Sequence, residues 1–374
     1  MTFSAALSIA LALLLVAGSA CSATGRDNAA STGAGADAVG AGGQAGAPTG
    51  GLGGAPAQGG HAGCAHVEQV VTTAEVSAIG AVVADDDMVV WVPGGGPDVL
   101  AADRVGCGFG APRVVAHSPL PSGARSALAL SQDAIVWSDG GGLWKTAKAG
   151  GDAVSLSSAS TNAFVVDGGN VVFVTGVPYP AKGGELRTVP LAGGVETILQ
   201  AFDLTPGSLA IDGATAIVAL GWDVDARIVR VPLAGGPAVT VVPSAPRLCA
   251  IAARGGEVVW TQASSASGTD TFAGDGTLWR QTTPVNGHLG SPCAVVVVGD
   301  EALVASAGWF LAQALTGYPL LAVPLDGGPP RTLSARAGQV SISQQAIAVT
   351  SDGSVFFLRG PGGLGPGSVV RTWL

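Results

Sequence analysis

The 374-residue chain is poor in charge and in aromatic surface: 11% of its residues are charged and 5% are aromatic. Lysine is nearly missing, with three against fourteen arginines, and no Lys/Arg block occurs. At a net charge of −9, that shortage excludes a nucleic-acid binder and a polybasic membrane-surface protein, because both need clustered cations to meet phosphate. Windows free of Gly and Pro are short, which excludes a coiled coil or a helical repeat. The 59 glycines follow no period of three, which excludes collagen. Histidine is limited to His61, His66, His117 and His288, and no C-x₂-C or His cluster accompanies the five cysteines, so neither a zinc site nor any cofactor is expected.

Long apolar runs are also few. Ala5 to Ala17 is broken only by Ser8 and is followed by Gly18, Ser19 and Ala20, so residues 1–20 read as a secretory signal peptide, too short for a good spanning helix. Ser19-Ala20-Cys21 resembles the end of a bacterial lipobox, which implies acylation of Cys21; ordinary cleavage, with release of the protein, is the alternative. Residues 22–63 hold 14 Gly and 12 Ala among 42 positions. Such a stretch buries too little apolar surface to offset its ordering entropy, and residues 21–66 are expected to form a disordered tether with a reach of about 35 Å. These features predict export and anchoring to the cell envelope, at the outer membrane or in the periplasm, with membrane contact only through the lipid. The uncharged run from Ala302 to Leu325 contains Gly317 and Pro319 and reads as two strands and a loop.

Residues 67–374 repeat. Val189-Pro190-Leu191-Ala192-Gly193-Gly194 returns at Val231–Gly236 and, with Asp326 in place of Ala, at Val323–Gly328. Thr146–Gly151 is a weaker copy, and another ends in Asn286-Gly287. Gly-Gly and Asn-Gly between apolar strands predict hairpin turns whose central residues take positive φ. A second hairpin precedes each copy, as at Leu209-Ala210-Ile211, Asp212-Gly213, Ala216–Ala219. Aligning second strands gives Trp91, Trp137, Phe173, Val218, Trp260, Val304 and Ala348, at intervals of 46, 36, 45, 42, 44 and 44 residues. That period predicts an all-β fold, a β-propeller of seven four-stranded blades, with six or eight as the alternative counts. The last unit ends after three strands, and Val67–Val71 resembles Val195–Leu199, so the N-terminal strand is expected to complete the last blade and close the ring.

This pattern resembles the exported propeller repeats grouped with the NHL, TolB-type and streptogramin-lyase-like families, especially bacterial lipoproteins with a signal, a Gly-rich spacer and a V-P-L-x-G-G turn. The resemblance implies architecture more than activity. Streptogramin lyases need a His with acidic partners in the channel, and no repeat-equivalent His exists here. No G-x-S-x-G with a His partner suggests serine hydrolysis either.

Cys64, Cys107, Cys249 and Cys293 form an even set in an exported chain. Repeat adjacency pairs Cys64 with Cys107 and Cys249 with Cys293, other connectivities remaining open. Asp85-Asp86-Asp87 falls on an inner hairpin turn like Asp133, Asp167 and Asp212, and reads as turn chemistry rather than a calcium site. Trp91, Trp137, Phe173 and Trp260 read as wedges between blades. The candidate ligand face is the one carrying the second-to-third-strand loops, which are long at Thr175–Glu185, Thr261–Gly276 and Ala305–Tyr318. It presents Tyr179, Lys182, Asp270, Phe272, Asp275, Trp309 and Phe310, joined by Trp222, Asp223 and Asp225 from a shorter loop. Aromatics beside carboxylates suit a protein or carbohydrate ligand, and a monomeric, non-enzymatic binder is the leading expectation. A lyase or hydrolase at the channel mouth is the rival.

Overall fold

The structure is a computed structural model and describes residues 67–73, 78–94, 97–117, 127–139, 141–177, 182–221, 224–263, 276–287, 289, 292–306, 318–337, 347–359 and 368–374. The signal segment, the tether and Cys21 and Cys64 lie outside the described residues. What is described is all-β: seven antiparallel sheets, each of four main strands, arranged as a seven-bladed propeller. The innermost strands are Ala78–Ala84, Ala127–Leu130, Thr161–Asp167, Pro206–Asp212, Leu248–Arg254, Pro292–Val298 and Ile347–Val349, one for each of blades 1 to 7. Each touches the next, and the last touches the first, so the ring is closed.

Closure uses both ends of the described chain. Gln69–Thr73 pairs antiparallel with Ser368–Trp373, matching Gln69 to Arg371 and Val70 to Val370, and so supplies the outermost strand of blade 7. The sheet edge that would otherwise stay open is thereby filled.

The second strands are apolar on both faces because each blade is packed from both sides. In blade 4, Ala216, Val218 and Leu220 join Val172, Val174 and Leu186 of blade 3, while Ile217 and Ala219 join Ile251, Val258 and Trp260 of blade 5. This is why these strands read as unbroken apolar runs rather than alternating ones. Trp91, Trp137, Phe173 and Trp260 are all at most 2% exposed, and each packs toward the preceding blade. In blade 7 the expected register is corrected. Ala348 lies on the innermost strand, and Phe357, paired with Val370 and through it with Val70, takes the position that Trp260 holds in blade 5.

Every outermost strand carries a β-bulge at one repeat-equivalent position, at Val71, Val115, Leu156, Leu199, Val241, Val285 and Leu333. The extra residue is aliphatic in all seven blades. A bulge twists the edge and interrupts its row of pairing groups, which protects seven exposed edges from pairing with other chains.

The turn expectation needs two corrections. In V-P-L-x-G-G, Pro190 oxygen accepts from Gly193 nitrogen at 2.8 Å, so the central residues are Leu191 and Ala192. The glycines follow the turn, with φ of 95° and 143° at Gly193 and Gly194, a path back into the sheet that a side chain would strain. Second, Asn286-Gly287 is not a turn. Asn286 ends the outermost strand of blade 5, Thr283–Asn286, and Arg280 pairs with Thr283 across only Gln281 and Thr282. In blades 2, 3, 4 and 6 the matching pairs, such as Arg230 with Val239, are eight residues further apart than neighbours.

Candidate ligand face and central channel

Of the ten residues assigned to the ligand face, Lys182 and Asp225 are the two among the described residues; Tyr179, Trp222, Asp223, Asp270, Phe272, Asp275, Trp309 and Phe310 lie outside them. Lys182 stands two residues before the third strand of blade 3 (Gly184–Pro190), and Asp225 two residues before that of blade 4 (Arg227–Pro232). The two loop ends meet across a blade junction, and Lys182 Nζ donates to Asp225 Oδ2 at 2.9 Å. That hydrogen bond raises the Lys182 pKa and lowers that of Asp225. Arg227 ties to Asp203 at 2.5 Å beside it, and Val177 and Val224 stand exposed on the same flank.

The same face is held from below near the start of the innermost strands, where Gly80, Asn162, Gly207, Cys249 and Cys293 are bulged. Asn162 Nδ2 donates to Pro206 oxygen at 2.8 Å, joining blades 3 and 4. Cys249 and Cys293 form a disulfide with Cα atoms 4.9 Å apart, joining blades 5 and 6. Cys107 is also disulfide-bonded, to a partner outside the described residues. Sequence reasoning placed the Cys249–Cys293 pair but missed the role of Asn162, whose only signal was its alignment with the two cysteines.

The half-buried positions of the innermost strands are mostly small and apolar: Val165, Val166, Ala210, Ile211, Ala252, Ala253, Val296 and Val297. The ionisable residues of the innermost strands, Asp167, Asp212 and Arg254, lie at their far end, toward the inner hairpins, and the last two are engaged there. Asp212 accepts from Gly255 and Gly256 nitrogens at 2.9 and 2.6 Å. Arg254 donates to Gly299 oxygen. Asp85 caps its own turn through Asp87 and Met88 nitrogens, each at 3.0 Å, and holds Lys148; Asp86 accepts from Ser351. Among the described residues, no three His, Cys, Asp or Glu side chains are gathered as a metal would need. His117 pairs with Asp98 at 2.6 Å on the outer part of blade 1.

The largest electrostatic perturbation lies at the ring's closure, a site sequence reasoning did not single out. Asp352 of blade 7 bridges Arg104 of blade 1 at 2.5 Å and Arg371 at 3.5 Å, with the three side chains 8%, 6% and 1% exposed. Burial alone would raise the Asp352 pKa, but hydrogen bonds from Thr350, Arg104 and Ser354 outweigh it and hold the group well below the usual carboxylate range. Burial, then repulsion from Arg104, pushes the Arg371 guanidinium down to about 10. Arg371 also stacks on Trp373, 3.8 Å from the ring centroid, and donates to Cys107 oxygen at 3.1 Å. It occupies a repeat position that is cationic elsewhere: Lys145 reaches Leu191 oxygen and Arg230 reaches Gly256 oxygen, each at 2.7 Å in the next blade. The cluster serves the seam between blades rather than the channel.

No protein-family model matches the chain, and no curated protein sequence matches it. Solved structures do. The chain is similar to the WD40 β-propeller domain of Doa1, at 12% identity and a TM-score of 0.56 over 82% of this chain and 97% of that one. It is similar to streptogramin B lyase at 14% identity and a TM-score of 0.53, over 82% and 97%. A puromycin-hydrolysing peptidase of Mycobacterium tuberculosis matches at 13% identity and a TM-score of 0.55, over 83% of this chain and 55% of that one. At such identities the likeness shows the propeller fold alone.

Proposed function

We propose that the chain is an exported, non-enzymatic propeller, held at the bacterial cell envelope by a lipid on Cys21 and the tether of residues 21–66, that binds a protein or carbohydrate ligand through its long-loop face. The observation that carries this reading is the contrast between channel and face. The innermost strands offer Val, Ala and Ile where acid–base chemistry would need titratable groups, and their terminal Asp212 and Arg254 are committed to backbone partners. The face instead joins exposed charge and aliphatic surface at Lys182, Asp225, Val177 and Val224 to loops rich in Trp, Phe and Asp. Aromatic side chains there supply contact area at low entropy cost, and the neighbouring carboxylates supply orientation.

The test is capture of ligand from native envelope extract and on an array of bacterial glycans, using the whole chain and a Trp309→Ala/Phe310→Ala variant. Capture that the variant loses supports the reading. Capture that persists unchanged, or turnover of a substrate by the purified chain, overturns it. Anchoring is tested separately: Cys21→Ser should move the protein from the membrane fraction to the soluble fraction.

A further inference from the structure

The shortened turn of blade 5 leaves a cleft. In blades 2, 3, 4 and 6, eight residues separate the last paired positions of the third and outermost strands; in blade 5 only two do. The room that a V-P-L-x-G-G turn would take beside the blade 6 turn is open, a space of 360 Å³ bounded by Arg280, Gln281, Pro284, Val285, Leu325 and Asp326. Its floor is apolar, since Val285 and Leu325 both pack against the cluster between blades 5 and 6. Its rim is charged unevenly. Arg280 is committed to Glu257 by two hydrogen bonds of 2.9 and 2.5 Å. Asp326 is exposed, accepts only from Gly328 nitrogen at 3.0 Å, and forms no ion pair among the described residues.

The turn itself is strained. Gln281 sits at φ 55°, a left-handed conformation that favours Gly, and it is pinned there by Trp260 Nε1 donating to Gln281 oxygen at 2.8 Å and by Gln281 nitrogen donating to Val258 oxygen at 2.8 Å. The wall of the cleft is therefore rigid. The turn leucine of blade 6, Leu325, sinks into the junction with the preceding blade as Leu191 and Leu233 do in blades 3 and 4, and forms the inner floor of the cleft.

We propose that this cleft is a peptide-docking site, distinct from the long-loop face, that takes a partner segment bearing an aliphatic side chain followed within one or two residues by Lys or Arg. The aliphatic group packs on Val285 and Leu325. The cation meets Asp326, the acidic group of the rim that forms no ion pair among the described residues. A single charge-assisted contact and one buried aliphatic group suit a weak, millimolar interaction for an isolated peptide, strengthened when the segment belongs to a folded partner.

The test uses two synthetic peptides built on the chain's own turn, acetyl-Val-Pro-Leu-Lys-Gly-Gly-amide and the same peptide with Ala for Lys. The readout is the indole N–H resonances of the ¹⁵N-labelled whole chain, in which Trp260 reports directly on the Gln281 wall. The lysine peptide should shift the Trp260 signal with a several-fold lower Kd than the alanine peptide. That advantage should vanish in Asp326→Asn, and Thr283→Lys, which sets a tethered cation on the rim, should weaken the lysine peptide alone. The remaining indole signals confirm that each variant is folded. No shift at Trp260 with either peptide, equal binding of both, or an unchanged preference in Asp326→Asn overturns the proposal. Peptide-inhibited self-association of the chain would instead assign the cleft to a second copy and likewise overturn it. Failure here leaves the ligand face untouched, since the two sites are read by different residues.

Discussion

Between blades 7 and 1, where the two ends of the described chain meet, the ring is tied by buried charge; between blades 5 and 6, it is tied by a covalent bond set beside an apolar cluster. The first junction joins Arg104 to Asp352 across 248 positions of sequence, with Arg371 and Trp373 stacked beside them. The second joins Cys249 to Cys293 across 44 positions. Blades 5 and 6 are consecutive in the chain, so their register follows from connectivity, and the disulfide chiefly restricts the unfolded ensemble. Blades 7 and 1 are consecutive only through Gln69–Thr73, a strand that joins blade 7 by pairing with Ser368–Trp373 from the far end of the sequence. A buried carboxylate that must meet two guanidinium groups is satisfied in one alignment only, so charge there selects register at some cost in solvation.

That comparison breaks most sharply at Asp352. Asp352→Ala should lower unfolding stability by about 3–5 kcal/mol in urea denaturation, because two guanidinium groups stay buried without their carboxylate. Replacing Arg104, Asp352 and Arg371 together by Met, Leu and Met should cost far less. If it costs as much, the seam contributes energy rather than register. The Cys249→Ser/Cys293→Ser variant should lose about 2–4 kcal/mol, mostly through the unfolded state, with no change in circular dichroism at the start of the titration.

Acid sharpens the contrast. Because the folded pKa of Asp352 is depressed, the unfolded chain binds the proton first, so this group stabilises the fold above the unfolded carboxylate pKa of about 3.9 and its contribution is lost as pH falls below that value. Acid titration of the wild type should therefore be steeper than that of Asp352→Asn between pH ~4 and ~2, as followed by tryptophan fluorescence. The smallest effects belong to the ligand face. Asn162→Ala should cost about 1 kcal/mol by removing its hydrogen bond to Pro206, whereas Lys182→Ala should leave the urea midpoint unchanged, since its partnership with Asp225 is fully solvated.

Much of the ring was legible because repetition and polarity are local properties. The V-P-L-x-G-G copies, the apolar runs and the orphan strand at Val67–Val71 sufficed for the blade count and for the manner of closure. Repeat phase also brought Cys249 beside Cys293. The reading faltered where spacing stopped being periodic. Asn286-Gly287 resembled a turn by composition, yet pairing of Arg280 with Thr283 moved the turn upstream to Gln281. Ala348 fell one strand too far in because Val304 and Phe357 are 53 residues apart, against 36–46 between the other aligned positions. Bulges left no trace in residue type beyond an aliphatic side chain, since a bulge is defined by which partner residue is skipped.

Taken alone, the order of residues determined the number of strands per blade, the alternation of turn and strand, and which side chains are apolar enough to be buried, because these depend on neighbours within one repeat. Tertiary structure decided which charges are left without solvent at Arg104, Asp352 and Arg371, and which gap opens beside Leu325. Both outcomes depend on desolvation and on the fit between blades, quantities that exist only once distant segments share the same space.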